Sequence, residues 1–385
     1  TSTSMTSEIS NAISESIYNK YGYSSTLERG GENSKTASTM GIVMGTSHHE
    51  PMARNHQEWA RKRDEYGAWD YATNQKTIDK FFREGIERAA DTEDLITIGM
   101  RGESDSYLMP EDATLEDNIN VLKAAITEQK KLIAEYGNQA HPQLLAIYKE
   151  VEDYYHGDET TPGLKEWDVL KDDIMMLCDD NFANLRTMPE KPDDHPGGYG
   201  MYYHFDYFGS PVSYLWINTS PLVKTWEQMP MAYDFGVREA WIVNVGDIKN
   251  QELALSYFID LAYDFDKWGT AAPNTTGEYT KQWLMQMGFT HEKYAPLAQV
   301  VEEYIRLNGM CRPEVLKADT YHPAHFGEAA AILERADMGS PWLPVVIRVT
   351  LRGANLRISS GSIRVPFGTA TSPSAMSSPL TLTFS

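Results

Sequence analysis

Seven short apolar runs punctuate the chain, and stretches with helical spacing separate most of them. They are GIVMGTS (41–47), DLITIGMRG (94–102), QLLAIYKE (143–150), DIMMLCDDN (173–181), YGMYYHFDY (199–207), SYLWINT (213–219) and EAWIVNVGD (239–247). The clearest helix is 115–136. Ile119, Leu122, Ile126 and Ile133 form its apolar stripe, Thr114 with Asp117 three residues on resembles a capping box, and Gly137 ends it. Strands alternating with helices imply an α/β fold with a parallel sheet.

Nearly every run ends in polar residues. His48, His49 and Glu50 follow the first; Arg101, Glu103 and Asp105 follow the second; Glu150 closes the third. Asp179, Asp180 and Asn181 close the fourth, His204, Asp206 and Tyr207 the fifth, Asn218 the sixth, and Asn244 with Asp247 the last. A (β/α)8 barrel builds its site from the C-terminal ends of many strands, whereas an open doubly wound sheet concentrates its site at one switch point. The pattern therefore favours a barrel, although seven strands are counted and not eight. After about residue 268 the strands cease. Residues 277–309 and 325–337 read as helices, with Trp283, Met287, Leu297, Val301 and Ile305 spaced for a buried face.

Composition narrows the function. The chain has 385 residues, 41% of them hydrophobic, enough for one large domain or two ordinary ones. A formal charge of −21 argues against a nucleic-acid partner. Two cysteines, Cys178 and Cys311, exclude a disulfide framework and a cysteine-based zinc site. No apolar run approaches a membrane span. No GxGxxG or GxxxxGK loop calls for a nucleotide. The 9 Trp and 22 Tyr suit either sugar stacking or a large aromatic core.

The ends differ from the middle. Residues 1–40 are rich in Ser, Thr, Asn and Gly, with one short amphipathic stretch at 8–22. After Asp337 the chain carries four arginines and no acidic residue, and 339–385 reads as a low-complexity tail. That tail is either disordered or a stretch where the reading frame has departed from the rest.

The stretch GTSHHEP (45–51) raises the question of a metal. Adjacent residues on a strand point to opposite faces, so His48 and His49 cannot easily share one ion. HPAHFGE (322–328) is not HExxH either. A sugar site fits better. Glycoside hydrolysis needs two carboxyl groups, one protonated and one ionised. Glu150, Asp105 and Asp180 all lie where the barrel reading puts its mouth. Asn181, Asn244 and His204 could bind hydroxyls, and Arg101 could take a substrate carboxylate in a two-pronged grip. For any one of these residues, a helix cap or a surface ion pair is the competing explanation.

MGIVMGTSHHEPM, GMRG, YKEV, CDDN, YYHFDY, SYLWINTSPLVKTWEQM and WIVNVGD occur here in the order that glycoside hydrolase family 115 carries them, over roughly residues 40–335. The chain thus resembles the xylan α-glucuronidases. The resemblance implies a (β/α)8 catalytic domain followed by a helical domain. It implies release of α-1,2-linked glucuronic acid or its 4-O-methyl ether from glucuronoxylan or aldouronic acids, with inversion, no cofactor and a secreted location. Glu150 matches the proposed catalytic acid, and Asp105 an essential acidic position. Asp180 and Asn181 match a carboxylate and an amide lining the sugar pocket. Asn244 and Tyr207 match substrate contacts, and His48, His49 and Glu50 the wall formed by GTSHHEPM.

The departures shape the expected domains: 1–40 a leader unlike the family, 41–270 a barrel lacking its first strand, 271–338 a helical segment, then the tail. GESDSY after GMR varies from the usual acidic loop, and the insert 156–168 lengthens the connection between Glu150 and Asp180. An inactive carbohydrate-binding remnant is the first alternative, and a metal-dependent barrel hydrolase the second. The oligomeric state is not legible.

Overall fold

The computed structural model describes residues 39, 48, 50–54, 56–103, 106–136, 141–192, 194–205, 218–245, 251–269 and 273–310. The chain divides into two compact units. One comprises 1–207, 222–248 and 252–276; the other comprises 208–221, 249–251 and 277–385.

The first unit is an α/β layer built on five parallel strands: β1 (Ile96–Ile98), β2 (Gln143–Ala146), β3 (Ile174–Cys178), β4 (Tyr199–His204) and β5 (Val237–Asn244). Their order in the sheet is their order in the chain, with no reversal. Helix α1 (Tyr71–Ala89) precedes β1, α2 (Leu115–Tyr136) crosses from β1 to β2, and α3 (Glu150–His156) follows β2. Helix α4 (Leu222–Asp234) precedes β5, and α5 (Glu252–Tyr263) follows it. The link from β3 to β4 holds no helix among its described residues.

The physical reasons are local. Every residue of β3 is buried, as a strand covered on both faces must be, and its apolar run IMMLC supplies that. Leu144, Ala146, Ile174 and Met176 form one core cluster, with Leu95, Tyr202, Ala240 and Ile242 packed on it. Helix α2 begins and ends where its pattern predicts. Thr114 N–H and Oγ1 both bond Asp117 Oδ2, at 2.9 and 2.6 Å, and Asp117 N–H returns a bond to Thr114 Oγ1 at 3.1 Å, which closes the capping box. Much of the aromatic content is core. Trp59 lies 5.0 Å from both Tyr66 and Trp69 and 5.2 Å from Phe81, and buried Arg54 caps that cluster with its guanidinium 3.6 Å above Phe81.

Two expectations change. The sequence places a strand at 213–219 between β4 and β5, yet those two pair directly, Gly200 with Ala240 through His204 with Asn244. Gly200 makes that approach possible, because a Cβ there would meet the Ala240 carbonyl at 2.7 Å. Residues 213–217 lie outside the described residues, and Asn218 and Thr219 are not in a strand. Secondly, β2 ends at Ala146, so Glu150 is the first residue of a helix and not the last of a strand. The described strands form one parallel sheet of five, compatible with the barrel expectation. The expected strand GIVMGTS, the leader, the 325–337 helix and the tail lie outside the described residues.

The second unit shows α6 (Thr276–Gln286) and α7 (His291–Met310), where the sequence suggests one helix over 277–309. Gly288, at φ 89°, breaks it. Phe289 N–H reaches back to Leu284 O at 3.1 Å and Gly288 N–H to Met285 O at 3.0 Å, a Schellman closure. Met287 is consequently 61% exposed, and the buried positions are Tyr279, Thr280, Leu284, Ala298 and Ile305. No helix among the described residues is long and apolar enough to cross a membrane.

Candidate active site

The carboxyl ends of β1 to β5 converge on one polar region. Past β1, Gly99 adopts φ +94° and is gripped by Gln129 of α2, a fully buried amide. Its Oε1 accepts from Gly99 N–H at 2.7 Å and its Nε2 donates to Gly99 O at 2.8 Å. Two residues on, the Arg101 carbonyl accepts from Trp69 Nε1 at 2.8 Å. The backbone carrying Arg101 is therefore fixed on both sides.

Arg101 grips Glu150. Nε donates to Oε1 and Nη2 to Oε2, each at 2.7 Å, and both side chains are buried. A carboxyl that accepts from a guanidinium with both oxygens acts as the anion. Lys149, at φ 53°, turns the chain sharply so that Glu150 opens α3 facing Arg101. The Arg101 guanidinium also lies 5.2 Å from the Tyr148 ring centre. On the other side of Glu150, burial raises the Tyr154 phenol above its ordinary range; a bond from Leu108 N–H opposes this, and the charge of Glu150 adds to it.

Tyr148 links this pair to the other strand ends. Its hydroxyl donates to Asn181 Oδ1 at 2.9 Å. Its ring lies 4.9 Å from His48, 5.6 Å from Tyr202 and 6.2 Å, stacked, from His204. Tyr202 is 4.4 Å from His204 and 5.4 Å from His48, and its hydroxyl accepts from Asn244 Nδ2 at 3.2 Å. Beneath this wall Asp179 holds His204: Oδ1 lies 2.6 Å from Nδ1 and Oδ2 accepts His204 N–H at 2.7 Å. Both residues are about 1% exposed.

Of the residues proposed from sequence, Arg101, Glu150, Asn181, Asn244, His48 and His204 are joined in this network. Glu50 is buried. Asp180 is engaged differently. Its carboxylate accepts from Phe182 N–H at 2.9 Å, Asn184 N–H at 3.0 Å and Asn184 Nδ2 at 2.7 Å, the bonds of a loop turn. Partial burial pulls that carboxyl upward, but the Asn184 and Phe182 bonds and the charge of Lys224 outweigh it and hold it below its ordinary range. Asp105, His49 and Tyr207 lie outside the described residues.

Asp179, noted from sequence only as closing its run, and Tyr202 were not among the candidate site residues. A signal existed, because the first polar residue after an apolar run stays against the sheet, while each further residue moves about 3.3 Å into the loop. That rule selects Asp179 over Asp180.

The strain is local as well. Among the described residues, five that are not glycine have positive φ: Met52, Ala53, Lys149, Asn181 and Ala183. Lys149 lies three residues past the end of β2, and Asn181 and Ala183 follow β3. Strained backbone of this kind costs of order 1–3 kcal/mol per residue and collects at functional sites. Cys178 offers no nucleophile, since burial and the Glu152 carboxylate push its thiol well up. A cavity of about 700 Å³ lies nearby, lined in part by Tyr107, Asn118, Asp153 and Tyr154. Arg101 and Glu150 do not line it, so the strand-end network is the better site on chemical grounds.

A parallel sheet with carboxylates, an imidazole and tyrosines at the carboxyl ends of its strands defines an α/β protein with a strand-end site. The chain belongs to glycosyl hydrolase family 115, whose match spans residues 13–315. Eleven chains of solved structures match it, and no curated protein does. One of those structures is a family GH115 4-O-methyl-α-glucuronidase with specificity for decorated arabinogalactans. It is 31% identical with a TM-score of 0.66, over 83% of this chain and 42% of that one. The chain thus spans less than half the length of that relative.

Proposed function

We propose that this chain is an α-glucuronidase that removes glucuronic acid, or its 4-O-methyl ether, from decorated polysaccharide. The bond is α-1,2 to xylan, cleaved with inversion, within a (β/α)8 barrel spanning about residues 41–270. The observation that carries this reading is the buried Arg101–Glu150 pair at the end of an aromatic wall. A uronic acid differs from a neutral sugar by one carboxylate, and a guanidinium fork is the matching receptor. Strand order without a switch point supports the barrel.

In this scheme Glu150 donates a proton to the glycosidic oxygen. The base that activates water is Asp105, because the Asp180 carboxylate is occupied in its own turn. Inversion needs the two carboxyls roughly 6.5–9.5 Å apart, with room for the water. Asn181, Asn244, His204, His48, His49, Glu50 and Tyr207 line the sugar. The family relative's arabinogalactan specificity favours a second polymer as substrate, with the same terminal uronic acid.

The test is release of free (4-O-methyl)glucuronic acid from glucuronoxylan, from aldouronic acids and from glucuronidated arabinogalactan. The anomer formed first is followed by NMR. First-formed β-product indicates inversion, and α-product retention. Binding to these glycans with no release from any would leave the chain a carbohydrate-binding relative. Release abolished by chelation and restored by metal would favour a metal-dependent hydrolase.

A further inference from the structure

Glu150 faces a contradiction in this site. A general acid must carry a proton, yet Glu150 is clasped as an anion by Arg101 through two 2.7 Å bonds. The pair cannot simply open. Both side chains are buried, at 7% and 4% exposure, and on opening the guanidinium would lose the Glu150 charge without gaining water. A neutral sugar offers only hydroxyls in exchange. A uronic acid offers a second carboxylate of the same shape.

We propose that the substrate's carboxylate takes the place of Glu150 on Arg101, and that the displaced Glu150 takes up the proton it then donates. This rests on the α-glucuronidase reading. Whatever other charges line the site, the exchange brings one more carboxylate into it and no further cation. Two such anions so close disfavour joint ionisation, so one proton enters from solvent onto Glu150. It passes to the glycosidic oxygen as the C1–O bond breaks and its electron pair leaves on that oxygen. Arg101 thereby links recognition to chemistry, because only an acidic sugar primes the acid.

The neighbouring groups are compatible with this. Tyr148 lies against Arg101, and the Lys149 ammonium sits 5.2 Å from the Tyr148 ring centre. His48 packs on the same ring. Tyr154 of α3 is a buried phenol that stays neutral. Glu152, further along α3, is held by Arg186 at 3.0 Å and by Cys178, and Asp153 lines the adjoining cavity. Among these described neighbours, Glu150 is the carboxylate that loses its cation on exchange.

The experiment is calorimetric titration of the full chain with free glucuronic acid, near neutral pH, in two buffers of different ionisation heat. Uptake approaching one proton per glucuronate is expected in the wild type, and none in Glu150→Gln. Binding without uptake in the wild type, or equal uptake in Glu150→Gln, overturns the exchange while leaving α-glucuronidase activity standing. If glucuronate does not bind and no uronic acid is released from glucuronoxylan, the functional reading fails and the exchange with it. Circular dichroism of Glu150→Gln ensures that a folded variant is compared.

Discussion

Asp179 grips His204 at two points, its Oδ1 2.6 Å from the ring Nδ1 and its Oδ2 on the backbone N–H at 2.7 Å. A carboxylate only accepts, so Nδ1 carries the hydrogen of that bond, and the ring is fixed in tautomer and orientation. Asp179 is a positioning residue in this scheme, and His204 is the residue that meets the sugar.

Asp179→Asn keeps the shape but can present an amide N–H to Nδ1, which favours the opposite tautomer. We expect turnover to fall about 10–100-fold, the cost found for carboxylates that orient metal-bound histidines. Long-range nitrogen NMR should show His204 changing tautomer. Unaltered tautomer with unaltered turnover would remove Asp179 from the site. Asp179→Ala leaves buried donors unmet and should cost about 1–3 kcal/mol for each in chemical unfolding.

Glu150→Gln should lower turnover about 10²–10⁴-fold on substrates whose leaving group needs protonation, such as a xylose hydroxyl. An activated aryl glucuronide, which leaves unaided, should be affected far less. Equal losses on both would mean that Glu150 acts on binding and not as the acid.

The elements rich in periodic pattern were legible. Helix α2 shows a stripe, a capping box and a stop, and β3 an apolar run; nothing distant competes with such signals. What escaped depends on partners far along the chain or on unusual backbone. Arg101 and Glu150 are 49 residues apart, and no local rule pairs them. Lys149 adopts a left-handed turn that sequence would assign to glycine, so Glu150 reads as strand when it opens a helix. SYLWINT has strand composition, yet β4 and β5 pair directly with each other. In α6 the pattern continued through Met287 because the apolar spacing outweighed one glycine. The Gly288-Phe289 pair was the available stop signal.

Gln129→Leu tests how the scaffold aims Arg101. The variant keeps the volume but leaves the buried N–H and C=O of Gly99 without their amide partner, a loss of about 1–3 kcal/mol for each group. A lower denaturant midpoint is expected. With it should come a raised KM for acidic substrates, since Gly99 anchors the segment carrying Arg101. A lower midpoint with unchanged KM would show that Trp69 alone suffices to hold Arg101.

Asp180 gives the last prediction, which separates a turn residue from a base. Its carboxyl is held below its ordinary range by the bonds of the 180–184 turn, net of an upward pull from burial. A carboxylate depressed in the folded state contributes stability above its unfolded-state value, and that contribution disappears as pH falls through the folded-state value. The stability gap between wild type and Asp180→Asn should therefore be full at neutral pH and close as the medium drops below the ordinary aspartate value of about 4. Urea unfolding at several pH values measures it. Turnover of Asp180→Asn should fall only modestly, whereas Asp105→Asn should abolish the water attack. If Asp180→Asn is folded and stable yet inactive while Asp105→Asn turns over, the base is Asp180, and the turn must open when substrate binds.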